Sequence, residues 1–133
     1  MSFVNMAKSA DCIFCLLQNN GERPIFARTA NFFAIRDKYP VNVGHTLVIP
    51  ARHVSRLVDL TVEEFAELRE ILRIVQADLS GDRAEGFNIG VNEGEVAGQT
   101  VSHLHVHVIP RYKGDVDSPR GGVRNLKPAL VEY

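Results

Sequence analysis

Tryptophan is absent from the 133 residues, and cysteine and methionine occur only twice each. Two cysteines are too few for the bridged scaffold of a small secreted domain, so the fold must rest on an apolar core. Neither sign of charge is in surplus, since 15 Lys and Arg face 16 Asp and Glu. Such a balance gives no field for holding nucleic acid in bulk or an anionic membrane surface. No apolar run approaches the ~20 residues of a membrane span. The first eight residues, Met1 to Lys8, lack the charged-then-apolar layout of a signal peptide. These absences predict a cytoplasmic protein with neither nucleic acid nor membrane as partner. The length predicts one domain, large enough to bury a real core.

What is present concentrates in residues 98–110, where His103, His105 and His107 alternate with Leu104, Val106 and Val108. Alternation of period two predicts a half-buried strand, its aliphatic side chains anchored in the core. The three histidines would then stand in a row on the other face, roughly 7 Å apart. Imidazoles clustered on one face seldom serve packing alone, so the stretch reads as a site. Neutral imidazole can ligate a metal, or act as nucleophile or acid/base near pH 7. Gly98, Gln99 and Thr100, just before the row, offer a flexible turn, an amide and a hydroxyl, which suits an oxyanion such as phosphate.

Elsewhere the pattern predicts a loose arm over residues 1–10 and a short helix over 11–18, with Asp11 as N-cap and Gly21 closing the turn. Strands are expected at 25–28, 31–36 and 45–49, the last ended by Pro50, and at 86–92. A long helix opens on a capping box, Thr61 with Glu64. Its apolar stripe is Phe65, Leu68, Ile71, Leu72, Val75 and Leu79, and Gly81 ends it. From about Arg111 the chain reads as a wrapping tail. The sum is an α+β domain with an antiparallel sheet. Cys12 and Cys15 form a Cys-x-x-Cys pair, a spacing used for metal binding or redox chemistry. No thioredoxin-like βαβ pattern surrounds the pair.

The stretch from Gly98 to Pro110 closely resembles the signature of the histidine triad (HIT) superfamily of nucleotide hydrolases and transferases. That signature is three histidines separated by single hydrophobic residues and preceded by Gly-Gln-Ser/Thr. The resemblance covers roughly residues 11–124, and it implies a five-stranded antiparallel sheet with a long helix and a short N-terminal one. It also implies a homodimer whose two sheets join into ten strands, and a single HIT domain over residues 11–133. By the same resemblance His105 is the nucleophile, forming a covalent nucleotidyl-histidine, with its tautomer held by the backbone carbonyl of His103. His107 and His45 lie beside the phosphates, as do Gln99 and Thr100. Asn92 matches a phosphate-side asparagine, although a turn asparagine would read the same. Asp37 takes the place of a residue bonding the ribose hydroxyls, and Ile13, Phe14, Leu17 and Ile35 match base-pocket positions that could equally be ordinary core.

Some HIT proteins bind zinc through a cysteine pair and two histidines, here Cys12, Cys15, His53 and His103. Such a site is closed and structural, and no organic cofactor is implied. Residues 109–115 look like the fragile-histidine-triad branch, which hydrolyses dinucleoside polyphosphates such as Ap3A and Ap4A. Residues 118–124 resemble zinc-containing bacterial members. Purine nucleoside phosphoramidase is the alternative within the superfamily. Outside it stand a metallohydrolase carrying its metal on the histidine row, and a nucleotide sensor that binds without turnover. Arg111, Lys113, Arg120 and Arg124 fit either distal phosphates or a solvated surface.

Overall fold

A computed structural model describes residues 11–81 and 83–127; the expected N-terminal arm and the last six residues lie outside it. The elements are α1 (Ile13–Asn20), β1 (Ala27–Arg28), β2 (Phe32–Arg36), β3 (Thr46–Pro50), α2 (Val62–Gly81), β4 (Gly86–Gly90) and β5 (Val106–Arg111). The five strands form one antiparallel sheet in the order β1-β2-β3-β5-β4. Architecture and strand number are those expected.

Alternation along the strands sorts the core into two layers. Phe32, Ala34, Val48, Val106 and Val108 face α2 and pack with its Leu68, Ile71, Val75 and Leu79. Each of these large side chains, fully buried, contributes about 1.5–3 kcal/mol by leaving water. Phe33, Ile35, Leu47 and Ile49 point the other way and pack under α1 with Phe14, Leu17, Cys12 and Cys15. β2 and β3 are therefore covered on both faces, which is why both are apolar almost without interruption.

The capping box is formed. Thr61 Oγ1 accepts from the Glu64 N–H (3.0 Å), and Glu64 Oε1 accepts from the Thr61 N–H (2.8 Å). One detail of the expected helix is corrected. Phe65 is 42% exposed, and the buried face runs through Glu64, Leu68, Ile71, Val75 and Leu79. Glu64 can lie there because Arg52 pairs with it at 2.7 Å. Gly81 is the last residue of α2, as expected, and among the described residues Arg83 just beyond it is left-handed, at φ 75°. In α1 the cap position belongs to Cys12, not Asp11, and its side chain makes no capping bond. Gly21 closes α1 in the left-handed conformation, as its flexibility predicts.

The largest difference concerns the histidine row. β5 begins at Val106, so only His107 of the three lies on a strand. Residues 101–105 run beside residues 54 and 55 instead, with Leu104 N–H donating to Val54 O (2.6 Å) and Ser55 Oγ–H to Ser102 O (2.9 Å). That pairing turns His103 inward, and the evenly spaced row gives way to two linked clusters. The shorter departures are at element ends: β1 is two residues, β4 stops at Gly90, and Pro50 belongs to β3.

The expected tail starts with a turn pinned to the loop before β3. Asp115 accepts from Arg111 Nε and Nη2 (2.8 Å each), from Tyr112 N (3.0 Å) and from Asn42 Nδ2 (2.8 Å). Tyr112 Oη–H donates to Val43 O at 2.6 Å. Further on, the 3-10 turn Gly122–Arg124 lies against β4.

Candidate active site and metal centre

Backbone groups fix which nitrogen carries hydrogen in His45, His103 and His105, and His45 in turn fixes it in His107. His105 Nδ1 lies 2.9 Å from the His103 carbonyl oxygen, an acceptor only, so Nδ1 bears the proton. The lone pair is left on Nε2. His45 shows the opposite state: its Nδ1 accepts the Val41 N–H at 3.0 Å, so its hydrogen sits on Nε2. That Nε2–H points to His107 Nδ1 at 2.9 Å, with Asp37 Oδ2 at 3.3 Å. Having accepted at Nδ1, His107 carries its own hydrogen on Nε2. The His105 and His107 rings are 5.1 Å apart. A lone pair and an N–H donor thus stand side by side.

Burial favours the neutral ring at His45, His103 and His107. Burial pushes His107 down to about 4, and the neighbouring His105 and His45 push the same way against the pull of Asp37. Burial also lowers His45, outweighing the attraction of Asp37. Burial holds His103 at about 4, opposed by its bond to Pro50 and reinforced by His53 and His105.

His103 belongs to both halves of the site. Its Nε2–H donates to Pro50 O at 2.8 Å, which leaves the Nδ1 lone pair facing Cys12 Sγ (3.3 Å) and Cys15 Sγ (3.5 Å). His53 Nδ1 is 3.4 Å from Cys15 Sγ. All four side chains are buried, and their donor atoms lie within 4.8 Å of one another. Tetrahedral zinc with ordinary Zn–S and Zn–N bonds would set sulfur and nitrogen about 3.6 Å apart. The separations of 3.3–3.5 Å fit that ion, and two soft sulfurs with two imidazoles suit it chemically. Asp37, His45 and His107 form a second donor cluster. There the hydrogen on His45 Nε2 occupies the direction a cation would need.

The other expected residues divide clearly. Phe14 is buried between the two clusters, its ring edge-on to His105 at 5.0 Å and to His103 at 5.9 Å. Leu17 and Ile35 are fully buried beside it, whereas Ile13 is 49% exposed and outside the cluster. Asp37 Oδ1 accepts from Tyr39 N (2.9 Å), so the residue caps its own loop as well as facing His45. Gln99 Oε1 accepts from Gly94 N (2.9 Å) and closes the loop before the triad. Asn92 lies under Gly98, and Thr100 is exposed. Arg111 is engaged with Asp115 and Asn88, and organises the turn. Three participants were not anticipated: the Val41 N–H, the Pro50 carbonyl and Asp115. The first two are main-chain groups, which side-chain identity does not announce.

Three comparisons bear on this geometry. The family model described as HIT domain matches residues 18–114. An uncharacterized HIT-like protein of Methanocaldococcus jannaschii is 37% identical over 118 residues, 86% of this chain and 91% of that one. The bis(5'-adenosyl)-triphosphatase of Dictyostelium discoideum is 42% identical over 98 residues, 71% of this chain and 64% of that one. This chain therefore spans slightly under two thirds of that enzyme's length. A zinc-bound histidine triad family protein from Mycobacterium smegmatis superimposes with a TM-score of 0.69 at 40% identity, covering 81% of this chain and 80% of that one. With the triad residues assembled as described and most of the chain matched, the protein belongs to the HIT domain family.

Proposed function

We propose that the chain is a nucleotide hydrolase that cleaves dinucleoside polyphosphates at the α-phosphorus and releases a nucleoside monophosphate. The observation that carries this reading is the pair of opposite ring states, a lone pair on His105 Nε2 beside a donor on His107, 5.1 Å between ring centres. The similarity to a bis(5'-adenosyl)-triphosphatase supports the substrate class.

In the first step the His105 Nε2 lone pair bonds to phosphorus, and the electrons of the breaking P–O bond leave with the polyphosphate oxygen. The ring becomes cationic, and its Nδ1–H, still on the His103 carbonyl, stabilises the charge at no cost in reorganisation. His107 Nε2–H donates to a phosphate oxygen, and His45 holds His107 in the donating state. In the second step water attacks phosphorus, the N–P electrons return to His105, and the proton of the water leaves to solvent. Gln99, Thr100 and Asn92 border the phosphates. Asp37 retains lone pairs for the ribose hydroxyls, and Ile13 at the rim meets the base, backed by the buried Phe14, Leu17 and Ile35.

Zinc is proposed at Cys12, Cys15, His53 and His103. Bound there, with four protein ligands, it would supply folding energy and no open coordination position. We also propose a homodimer, since β4 is an edge strand with Gly86, Asn88 and Gly90 along it and can continue a partner's sheet.

Purified protein and a His105→Ala variant would be given diadenosine triphosphate, diadenosine tetraphosphate and adenosine phosphoramidate, with products separated by chromatography. Wild type is expected to release AMP from the dinucleotides fastest, and the variant to be slower by about 10³-fold or more. Full activity in the variant would remove His105 as nucleophile. A faster phosphoramidate reaction would move the substrate class.

A further inference from the structure

We propose that Cys12, Cys15 and His53 are positioning residues for the nucleophile, acting through His103, so that a metal held by this cluster determines which nitrogen of His105 carries hydrogen. The inference rests on the reading of His105 as nucleophile and goes beyond a purely structural role for the cluster.

Three groups hold the His105 ring: the His103 carbonyl at 2.9 Å, the Phe14 ring at 5.0 Å and the His107 ring at 5.1 Å. Two of the three sit on ligand-bearing segments. His103 presents its ring to the sulfurs and its carbonyl to His105. Phe14 lies between Cys12 and Cys15 in α1, so the same two sulfurs that fix the helix fix that ring. The remaining supports of His103 lead back to the cluster as well. Its Nε2–H is taken by Pro50, and the next N–H, of Leu104, is taken by Val54, the neighbour of His53.

A bound cation draws four electron-rich donors together. Without one, only the weak sulfur–nitrogen contacts of 3.3–3.5 Å join the cysteines to the two rings, and the cluster is free to loosen. His103 moves with them, the 2.9 Å bond to His105 lengthens, and the His105 proton exchanges onto Nε2. A ring protonated there has no lone pair to offer. Asp37, His45 and His107 are anchored separately, through Val41 and Tyr39. The phosphate and ribose contacts should therefore survive and the base wall carried on α1 loosen, while the chemical step fails.

The test uses the full chain with ¹⁵N-labelled histidine, zinc-loaded, as wild type, His53→Asn and His53→Cys. His53 touches neither His105 nor Phe14 among the ring contacts, and a cysteine there restores a fourth ligand. Long-range ¹H–¹⁵N spectra report the His105 tautomer, and steady-state kinetics separate kcat from KM. In His53→Asn the Nδ1–H signature is expected to be lost, with kcat down at least tenfold and KM raised by less than kcat falls; His53→Cys restores the signature and kcat. Retention of the Nδ1–H signature and kcat in His53→Asn, with only the melting temperature lowered, overturns the proposal. Cadmium in place of zinc in wild type covers a variant that does not fold. The larger ion is expected to shift the His105 ring signals, and unshifted signals overturn the proposal. If the chain turned over no nucleotide, the hydrolase reading would fail, while the tautomer measurement would still decide this link.

Discussion

Replacing Gly44 by alanine tests how the loop before β3 holds His45. Gly44 has φ +96°, and a Cβ built on it comes 2.7 Å from Leu79 Cδ2 and 3.4 Å from Pro110 Cγ. The left-handed backbone costs a residue with a side chain about 1–2 kcal/mol. Leu79 is fully buried and has little room to yield, so overpacking adds about 1–3 kcal/mol. The total is about 2–5 kcal/mol. At about 2.1 cal/mol/K per residue, a chain of this length has an unfolding entropy near 0.28 kcal/mol/K, which converts the loss to roughly 7–18 °C in Tm. Differential scanning calorimetry of wild type and Gly44→Ala measures it. Activity should fall too, because Gly44 O accepts from Thr46 Oγ1 at 2.8 Å and a displaced loop carries His45 away from His107. Gly81→Ala is the control. Gly81 is the last residue of α2 with open space around it, and alanine there should change stability by no more than about 0.5 kcal/mol. A Gly44→Ala melting point within 2 °C of wild type would refute both the strain and the contact.

Acid should weaken the fold in a defined window. His107 ionises near 4 in the folded chain and near 6.5 when free, so the folded state binds fewer protons between those values. Its contribution is complete above pH 6.5 and disappears as pH falls to 4, roughly 3 kcal/mol less what its 21% exposed side chain recovers by screening. Urea unfolding at several pH values should show this slope, and His107→Asn should flatten it; an unchanged slope would count against a buried neutral ring. Thr61→Ala removes the side-chain half of the capping box and should cost about 1 kcal/mol, leaving kcat at 25 °C unchanged. A loss under about 0.3 kcal/mol would mean that water caps α2 equally well.

Local devices were legible in the sequence, and distant partnerships were not. The capping box of Thr61 and Glu64 works within four residues, so pattern alone finds it. The burial of Glu64 needed Arg52, 12 positions earlier and outside the helix, and no periodicity points there. The histidine alternation predicted a strand correctly from Val106 onward. It failed for residues 103–105 because the Leu104 N–H goes to Val54, not to a sheet neighbour. The site residues were named through family motifs. The proton positions that make them chemically distinct came from Val41 N–H, Pro50 O and His103 O, main-chain groups that side-chain identity does not mark.

The contact between Cys12 and His103 spans 91 positions, and that between Cys15 and His53 spans 38. Closing a flexible loop of 91 residues costs about 4 kcal/mol of chain entropy, against about 3 kcal/mol for 38. Such contacts form after the local ones, the β4–β5 pairing and the first turn of α2. The Cys12–His103 closure is longer than the 58–62 positions spanned by the β3–β5 pairs, so the seating of the cysteines beside His103 is expected to be a late event, after β3 and β5 have paired. A chain stalled before that event has its sheet and its long helix but no Phe14 or cysteines beside His105. Catalytic competence then arrives with the last element to settle, so a half-folded chain is also an inactive one.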